Sequence, residues 1–245
     1  MRLLCAVIAG LLFLTGCSGD TSEADPKPSS SATDEPVEAT LLSADELASA
    51  LLTTDDLPRG FEVDDSESED GDESTDEIIE ASSDSCSDLW EETESPFDEG
   101  DYPEAEAAFT NGELGPFVYQ YLIAVDEETV ADEFAGLQLA VESCTDFVTR
   151  DADGFETTFT LTPIEAPDLG DKNFAFQMAL VFSDGDFEVE GTMTAVMTSI
   201  GGHVMMLMSV QFDLGETMDD DEFTAIAESA VEKLAGAVEA TGDAA

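Results

Sequence analysis

Positive charge is almost absent from this sequence. Its 245 residues contain 6 lysines and arginines against 59 aspartates and glutamates, which gives a formal net charge of -53 at pH 7. Nucleic acid is therefore excluded as a partner, because phosphate binding requires basic patches. Anionic membrane surfaces are disfavoured by the same repulsion. The acids are spread along the chain, and two interpretations stay open: adaptation to a salty exterior, where salt screens the charge, or nonspecific cation binding.

Groups typical of catalytic and metal sites are also scarce. His203 is the only histidine, so no histidine pair is available to hold a metal ion. The sequence has neither a G-x-S-x-G motif nor a glycine-rich phosphate loop. We therefore predict no catalytic residue, no metal site and no cofactor. The abundant carboxylates leave one enzymatic alternative, a cell-envelope hydrolase that uses a carboxylate pair.

The stretch from Asp64 to Glu77 is a dense run of acidic and serine residues, which predicts a solvated loop. Gly71 fits the sixth position of a calcium-binding loop, which requires a glycine. The ligand positions then fall on Ser66, Ser68, Asp70 and Glu77. Because the first ligand of such a loop is normally aspartate, the serine at that position makes the match poor.

A long uninterrupted apolar run occurs only once, from Leu3 to Leu14. A dozen residues fall short of the roughly 20 that a membrane-spanning helix needs, and after Arg2 such a run is typical of a signal peptide. Leu14-Thr15-Gly16-Cys17 follows and resembles the lipobox of bacterial lipoproteins. The resemblance implies that Cys17 becomes the first residue and carries diacylglyceryl and palmitate groups. The alternative is an ordinary secretory signal with a chance cysteine.

Composition divides the rest of the chain into a tether and a folded domain. Residues 17–40 are rich in Ser, Thr, Asp, Glu and Pro, and they contain too few apolar side chains to offset the entropy cost of ordering. The predicted organisation is a signal peptide (residues 1–16), a disordered tether (17–40) and one folded domain (41–240). The expected location is the extracytoplasmic face of the cell membrane, with the lipid on Cys17 as the membrane contact.

Cysteine is scarce as well. Cys5 lies in the segment predicted to be removed, so Cys86 and Cys144 remain in the domain. An even pair in an exported protein predicts a disulfide. A free catalytic thiol is the alternative, although no activating histidine pattern accompanies either cysteine.

Hydrophobic periodicity predicts an α+β fold for the domain. Ser43-Ala-Asp-Glu46 has the pattern of a capping box that starts a helix. Apolar residues at steps of three and four predict two further helices, over Val130–Val148 and Asp219–Glu239. Alternating apolar residues predict about six strands, the last three joined by tight turns at Asp184-Gly185 and Gly201-Gly202. We expect an antiparallel sheet with the helices packed on one face.

The three long C-terminal strands are rich in methionine. The six residues are Met178, Met193, Met197, Met205, Met206 and Met208. Core packing is the first interpretation, and an apolar ligand pocket is the second, because methionine adapts to irregular surfaces. Soft-metal binding by the thioethers ranks only third. The reason is that these residues are expected to alternate between the two faces of the sheet.

Four short segments occur in an order that resembles the PknH-like extracellular sensor domain family. They are LLTTDDLPRGF at Leu51–Phe61, CSDLW at Cys86–Trp90, ESCTDF at Glu142–Phe147 and DLGD at Asp168–Asp171. The family comprises the outer domains of mycobacterial receptor kinases and many actinobacterial lipoproteins.

This resemblance implies a twisted antiparallel sheet with flanking helices and a ligand cleft. It also implies a sensor-like or ligand-binding domain without catalysis, whose partner is an unknown small ligand or envelope component. The kinase members of this family are expected to have two disulfides, whereas only one cysteine pair is available in this domain. A purely structural envelope lipoprotein is the remaining alternative.

Overall fold

A computed structural model describes residues 41–64, 77–84, 86–87, 102–151, 154–183 and 187–242. The predicted signal peptide, the tether and Cys17 lie outside the described residues. The candidate calcium loop also lies outside them, except for the backbone of Glu77.

Among the described residues, nine antiparallel strands form one sheet. In chain order they are β1 (Glu62–Val63), β2 (Glu77–Ala81), β3 (Glu104–Thr110), β4 (Phe117–Ala124), β5 (Asp146–Arg150), β6 (Glu156–Ile164), β7 (Lys172–Ser183), β8 (Glu188–Ile200) and β9 (His203–Phe212). The spatial order is β1-β3-β4-β9-β8-β7-β6-β5-β2. Strands β5 to β9 form a meander in which each strand pairs with the next. The α+β class is confirmed, and the predicted count of about six strands is too low.

The helices pack on both faces of this sheet. Helices α1 (Ala44–Ala50) and α3 (Asp220–Gly242) share one apolar cluster with one face of the sheet, and α2 (Glu127–Ser143) packs on the other, mainly against β6 and β7. The prediction that all helices lie on one face is therefore wrong. The physical reason is that the central strands are apolar on both sides: on β9, Met205 belongs to the first cluster and Val204 to the second.

Helix α1 begins as the capping box predicts. The Ser43 hydroxyl accepts a hydrogen bond from the Glu46 backbone N–H (3.4 Å), and the Glu46 carboxylate accepts one from the Ser43 N–H (2.8 Å). Two backbone donors at the helix start are thereby satisfied. The helix then buries Leu47 and Ala50 in the first apolar cluster.

Helix α2 ends earlier than its apolar spacing predicts. The helix stops at Ser143, and Cys144 has an extended backbone (φ -97°, ψ 113°). The following residues form β5, in which Phe147 and Thr149 are buried and their neighbours are more exposed. The prediction of helix as far as Val148 is therefore wrong, because a period of two replaces the helical period at this point.

A disulfide joins Cys86 to Cys144 at the end of α2. The two Cα atoms are 4.9 Å apart, and both residues are fully buried. The Ser82 hydroxyl accepts hydrogen bonds from the backbone N–H groups of Thr145 (3.1 Å) and Asp146 (3.2 Å). The segment after β2 is thus held to the α2–β5 junction both covalently and by hydrogen bonds.

Removing this disulfide is expected to lower the free energy of unfolding. The bond closes a loop between residues 58 apart in sequence, which corresponds to about 4 kcal/mol in the chain-entropy model. The measurement is urea unfolding of the wild type, of a Cys86→Ala/Cys144→Ala double variant and of the exposed-site control Ser87→Ala. Equal unfolding free energies for the double variant and the wild type would contradict the prediction.

Candidate functional site

The side of the sheet that faces α2 is rich in methionine. Five of the six strand methionines lie there: Met178, Met193, Met197, Met206 and Met208. Met178 pairs directly with Met193, and Met197 with Met206, and paired residues in antiparallel strands project from the same face. Met205 lies on the opposite face. The expectation that these residues alternate between the two faces is therefore wrong for all but Met205.

Much of this methionine-rich surface is only partly covered. Helix α2 contacts mainly β6 and β7, and on the covered side Met178 is 3% exposed. On β8 and β9, Met193, Met206 and Met208 are half-buried. Tyr119 on the next strand, β4, is half-buried as well. A partly exposed apolar surface therefore extends over the middle of the sheet.

A row of aromatic rings continues this surface toward the end of the strands. The rings of Phe182 and Phe212 meet edge to face with centroids 5.7 Å apart, and Phe212 meets Phe117 in the same way at 6.3 Å. Phe117 in turn stacks on Tyr119 at 6.5 Å. Gly191 makes this row possible, because a Cβ atom at Gly191 would lie 2.8 Å from the Phe212 ring.

We call this surface the methionine–aromatic face. Its members are Met193, Met206, Met208, Phe117, Tyr119, Phe182 and Phe212. Each is at least partly exposed, and Phe182 is exposed to 38%. The sequence indicated methionine-rich strands, but the aromatic row depends on cross-strand register.

One polar group borders the methionine–aromatic face. The Tyr121 hydroxyl, opposite Met206 in the strand register, donates a short hydrogen bond to the Glu104 carboxylate. Burial raises the pKa of Tyr121 well above its usual value, and Glu104 and then Glu106 raise it further. Tyr121 is therefore a protonated hydrogen-bond donor at neutral pH.

A separate, more polar cleft lies at the turn that joins β3 to β4. It has a volume of about 430 Å³, and its lining includes Arg59, Asn111, Glu216 and Glu222. The Asn111 amide donates to Glu216 (3.2 Å), and Glu222 accepts from the Asp219 backbone N–H (3.2 Å). Both carboxylates thus have hydrogen-bond partners within the cleft or next to it.

Neither a three-ligand metal cluster nor a membrane-spanning helix occurs among the described residues. In that part of the chain, no three His, Cys, Asp or Glu side chains are grouped closely enough to hold a metal ion. None of the described helices combines the length and the apolar character that crossing a membrane requires.

His203 has a structural role on the other face of the sheet. Its ring is 1% exposed; Nε2 accepts a hydrogen bond from the Leu42 backbone N–H (3.0 Å), and Nδ1 lies 3.1 Å from the Ile200 carbonyl oxygen. Nδ1–H is then the donor to that carbonyl, which fixes a neutral tautomer. Burial lowers the pKa of His203. No local sequence pattern predicts this contact, because Leu42 and His203 are far apart in the chain.

This chain is similar to a known protein in structure but not in sequence. No protein-family model matches this chain, and no curated protein matches it in sequence. The structure resembles the crystal structure of the extracellular domain of PknH from Mycobacterium tuberculosis, with a TM-score of 0.53 and 9% sequence identity. The alignment covers 81% of this chain and 99% of that one. The similarity is therefore one of fold alone.

Protonation of His203 is expected to weaken the fold at acid pH. Its folded pKa is below the ordinary value of 6.5, so below that pH the unfolded chain takes up a proton that the folded chain does not. The variant His203→Gln keeps a neutral acceptor for Leu42.

The measurement is the melting temperature of the wild type and of His203→Gln from about pH 8 to about pH 5. The wild type is expected to lose stability relative to the variant as the pH falls through about 6.5. Carboxylates titrate in both proteins, so their effects cancel in the difference. A difference that does not change with pH would contradict the prediction.

Proposed function

We propose that this chain is a lipid-anchored, extracytoplasmic ligand-binding domain of the sensor type, without catalysis of its own. The observation that carries the proposal is the methionine–aromatic face, a partly exposed apolar surface on a protein with a net charge of -53. The ligand class that this surface fits is an apolar molecule or an apolar segment of an envelope component.

The two faces of the sheet differ in how completely they are covered. On the first face, α1 and α3 bury Leu122, Met205 and Leu207 almost completely. On the second, α2 packs mainly against β6 and β7 and leaves Met206 and Met208 half-buried. Contiguous exposed apolar patches are uncommon on monomeric proteins and often mark binding surfaces. Methionine suits such a surface because its side chain is flexible and polarizable.

Three further observations support the location outside the cytoplasm. The protein of similar fold is described as an extracellular domain, and the lipobox at Leu14–Cys17 predicts export and lipidation. The disulfide between Cys86 and Cys144 is also consistent with an oxidising compartment. In this proposal, the lipid on Cys17 holds the domain at the membrane surface and leaves the binding face accessible.

Binding of the neutral dye Nile red tests the binding surface. A neutral dye is chosen because the acidic protein repels anionic probes. We expect a Met208→Ser/Phe182→Ser variant to raise the dissociation constant of the dye about tenfold, since a buried side chain of this kind contributes about 1.5–3 kcal/mol.

The matched control is Leu139→Ser, which removes an apolar side chain that is 64% exposed on α2. This control is expected to bind the dye like the wild type. Equal loss of binding in both variants, or no binding to the wild type, would overturn the proposed surface. Melting temperatures establish that the variants are folded.

Membrane fractionation tests the anchor. Cys17→Ala is expected to release the domain from the membrane fraction, because firm attachment requires two or more acyl chains. Cys5→Ala is the control and should remain bound, since Cys5 lies in the segment predicted to be removed. Mass spectrometry of the wild type should show an acylated N-terminal cysteine. A Cys17→Ala variant that stays in the membrane fraction would exclude this anchor.

A further inference from the structure

The polar cleft at the turn between β3 and β4 is formed where four segments meet. They are residues 58–61, residues 111–116, residues 215–218 and the start of α3, which contributes Glu222. The Asn111 amide joins two of them, because its nitrogen donates to Glu216 (3.2 Å) and its oxygen abuts Gly60, where a Cβ atom would lie 2.7 Å from it. Gly60 also has a positive φ of 109°, which glycine adopts without strain. The cleft is therefore built into the fold.

Side chains of both charge signs line the cleft. Arg59 comes from the first segment, and Glu216 and Glu222 come from the third segment and from α3. Among the described residues, Arg59 forms no ion pair with either carboxylate. Opposite charges thus share one cleft without contacting each other, and such an arrangement complements a ligand that carries both an anionic and a cationic group.

Each of these charged groups has hydrogen-bonding capacity for a ligand. Glu216 accepts the Asn111 amide through its Oε2 atom. Glu222 likewise accepts the Asp219 backbone N–H through Oε2. A carboxylate has two acceptor oxygens, so both glutamates can also accept from an ammonium group. The Arg59 guanidinium presents its N–H donors in a fork that matches the geometry of a carboxylate.

The net charge of -53 restricts the class of ligand. An anion that approached Arg59 would be repelled by the surrounding acidic protein, and a simple cation would leave the guanidinium without a partner. A zwitterion has no net charge and provides a partner for each group. The lining also includes Phe61 and Met218, each 8% exposed, and the volume of about 430 Å³ lies near the lower end of the range of about 300–1,000 Å³ for small-molecule sites. A short peptide, with charged termini and an apolar body, fits this cleft.

We propose that the cleft binds a short peptide with free termini, of which a dipeptide is the simplest. Arg59 binds the terminal carboxylate, and Glu216 and Glu222 bind the terminal ammonium group. The termini of an extended dipeptide are about 7 Å apart, so one ligand reaches charged groups that do not contact each other.

This inference goes beyond the proposed function, because the two surfaces are different. Phe61 and Met218 belong to the apolar cluster that α1 and α3 share with the sheet, whereas the methionine–aromatic face lies on the side of α2. The peptide site therefore does not depend on an apolar ligand at that face.

Calorimetric titration with alanyl-alanine tests the proposal. The protein is the full chain with Cys17→Ala, which removes the predicted lipidation site. We expect saturable binding of one equivalent. Acetylation of the amino terminus, or amidation of the carboxyl terminus, is expected to raise the dissociation constant about tenfold or more, since each change removes one charge-assisted hydrogen-bonding group.

The amidated dipeptide is the sharper of these two comparisons. It carries a net positive charge, so nonspecific attraction to the acidic protein would strengthen its binding. The proposed site predicts the opposite, because Arg59 loses its partner. No binding of alanyl-alanine, or binding of either blocked form as tight as that of alanyl-alanine, would overturn the proposal.

Arg59→Gln tests the carboxylate side of the site and is expected to raise the dissociation constant of alanyl-alanine about tenfold or more. The matched control is Lys172→Gln. Among the described residues Lys172 also forms no ion pair, and its loss changes the net charge by the same amount. The control should bind like the wild type, and equal weakening in both variants would overturn the proposal. Melting temperatures establish that the variants are folded.

A double variant tests the ammonium side. Glu216→Gln/Glu222→Gln removes two negative charges and keeps an acceptor oxygen for each hydrogen bond within the protein. We expect the dissociation constant of alanyl-alanine to rise about tenfold or more. Glu228→Gln/Glu232→Gln, at two exposed positions further along α3, is the matched control and should bind like the wild type. Unchanged binding in the cleft variant would contradict the proposal.

NMR locates the bound dipeptide. Asparagine occurs only at positions 111 and 173, so ¹⁵N labelling of asparagine gives two side-chain amide signals. Asn111 bonds to Glu216 in the cleft. Asn173 pairs with Thr198, toward the opposite end of β8, and donates to the Leu169 carbonyl (3.3 Å). Alanyl-alanine should shift the Asn111 signal alone, and equal shifts of both signals would place binding elsewhere and overturn the site.

Variants of the two surfaces distinguish this proposal from the proposed function. Met208→Ser/Phe182→Ser should bind alanyl-alanine like the wild type, and Arg59→Gln should bind Nile red like the wild type. Dipeptide binding that is lost in Met208→Ser/Phe182→Ser but kept in Arg59→Gln would overturn the peptide site. A wild type that binds the dipeptide but no dye supports the peptide site and overturns the apolar surface alone.

Discussion

The fold depends on one constraint: the central strands are apolar on both faces, so each face requires its own cover. On β9, Met205 and Leu207 project toward α1 and α3, while Val204 and Met206 project toward the side of α2. A sheet of this kind cannot be solvated on one side, unlike many antiparallel sheets. Helices α1 and α3 cover the first face almost completely, whereas α2 covers only part of the second. The candidate binding surface lies on that partly covered second face.

Much of the fold was accessible from local sequence patterns. The meander follows from alternating residues and turns such as Gly201-Gly202, and the start of α1 follows from Ser43 and Glu46. Periodicity reports which residues of an element are apolar, but not which side of a sheet each helix covers. At Cys144 the same pattern misled, because Val148 fits a helical step of four although Phe147 and Thr149 alternate as a strand.

The candidate site was less accessible, because it arises from pairing between strands. A two-residue turn at Gly201-Gly202 places Met197 opposite Met206. The pairing of these two residues could therefore be predicted from the sequence. The contact between the Phe182 and Phe212 rings beside Gly191 required the register of β7, β8 and β9 together. The extent of cover by α2 depends on tertiary packing, which no local pattern specifies. Cys17, predicted from its motif, lies outside the described residues and stays a prediction.

The hydrogen bond between Leu42 and His203 has a mechanical consequence. Leu42 is the second described residue of the domain, and its N–H donates to His203, the first residue of β9, a strand with three strands on one side and five on the other. A pull on the chain that precedes Leu42 is therefore transmitted to the interior of the sheet. A force applied to an edge strand would separate it one hydrogen bond at a time, whereas this attachment loads a strand that is bonded along both sides by β4 and β8. The chain that enters the domain at Leu42 is thus attached to a strand that is suited to bearing tension.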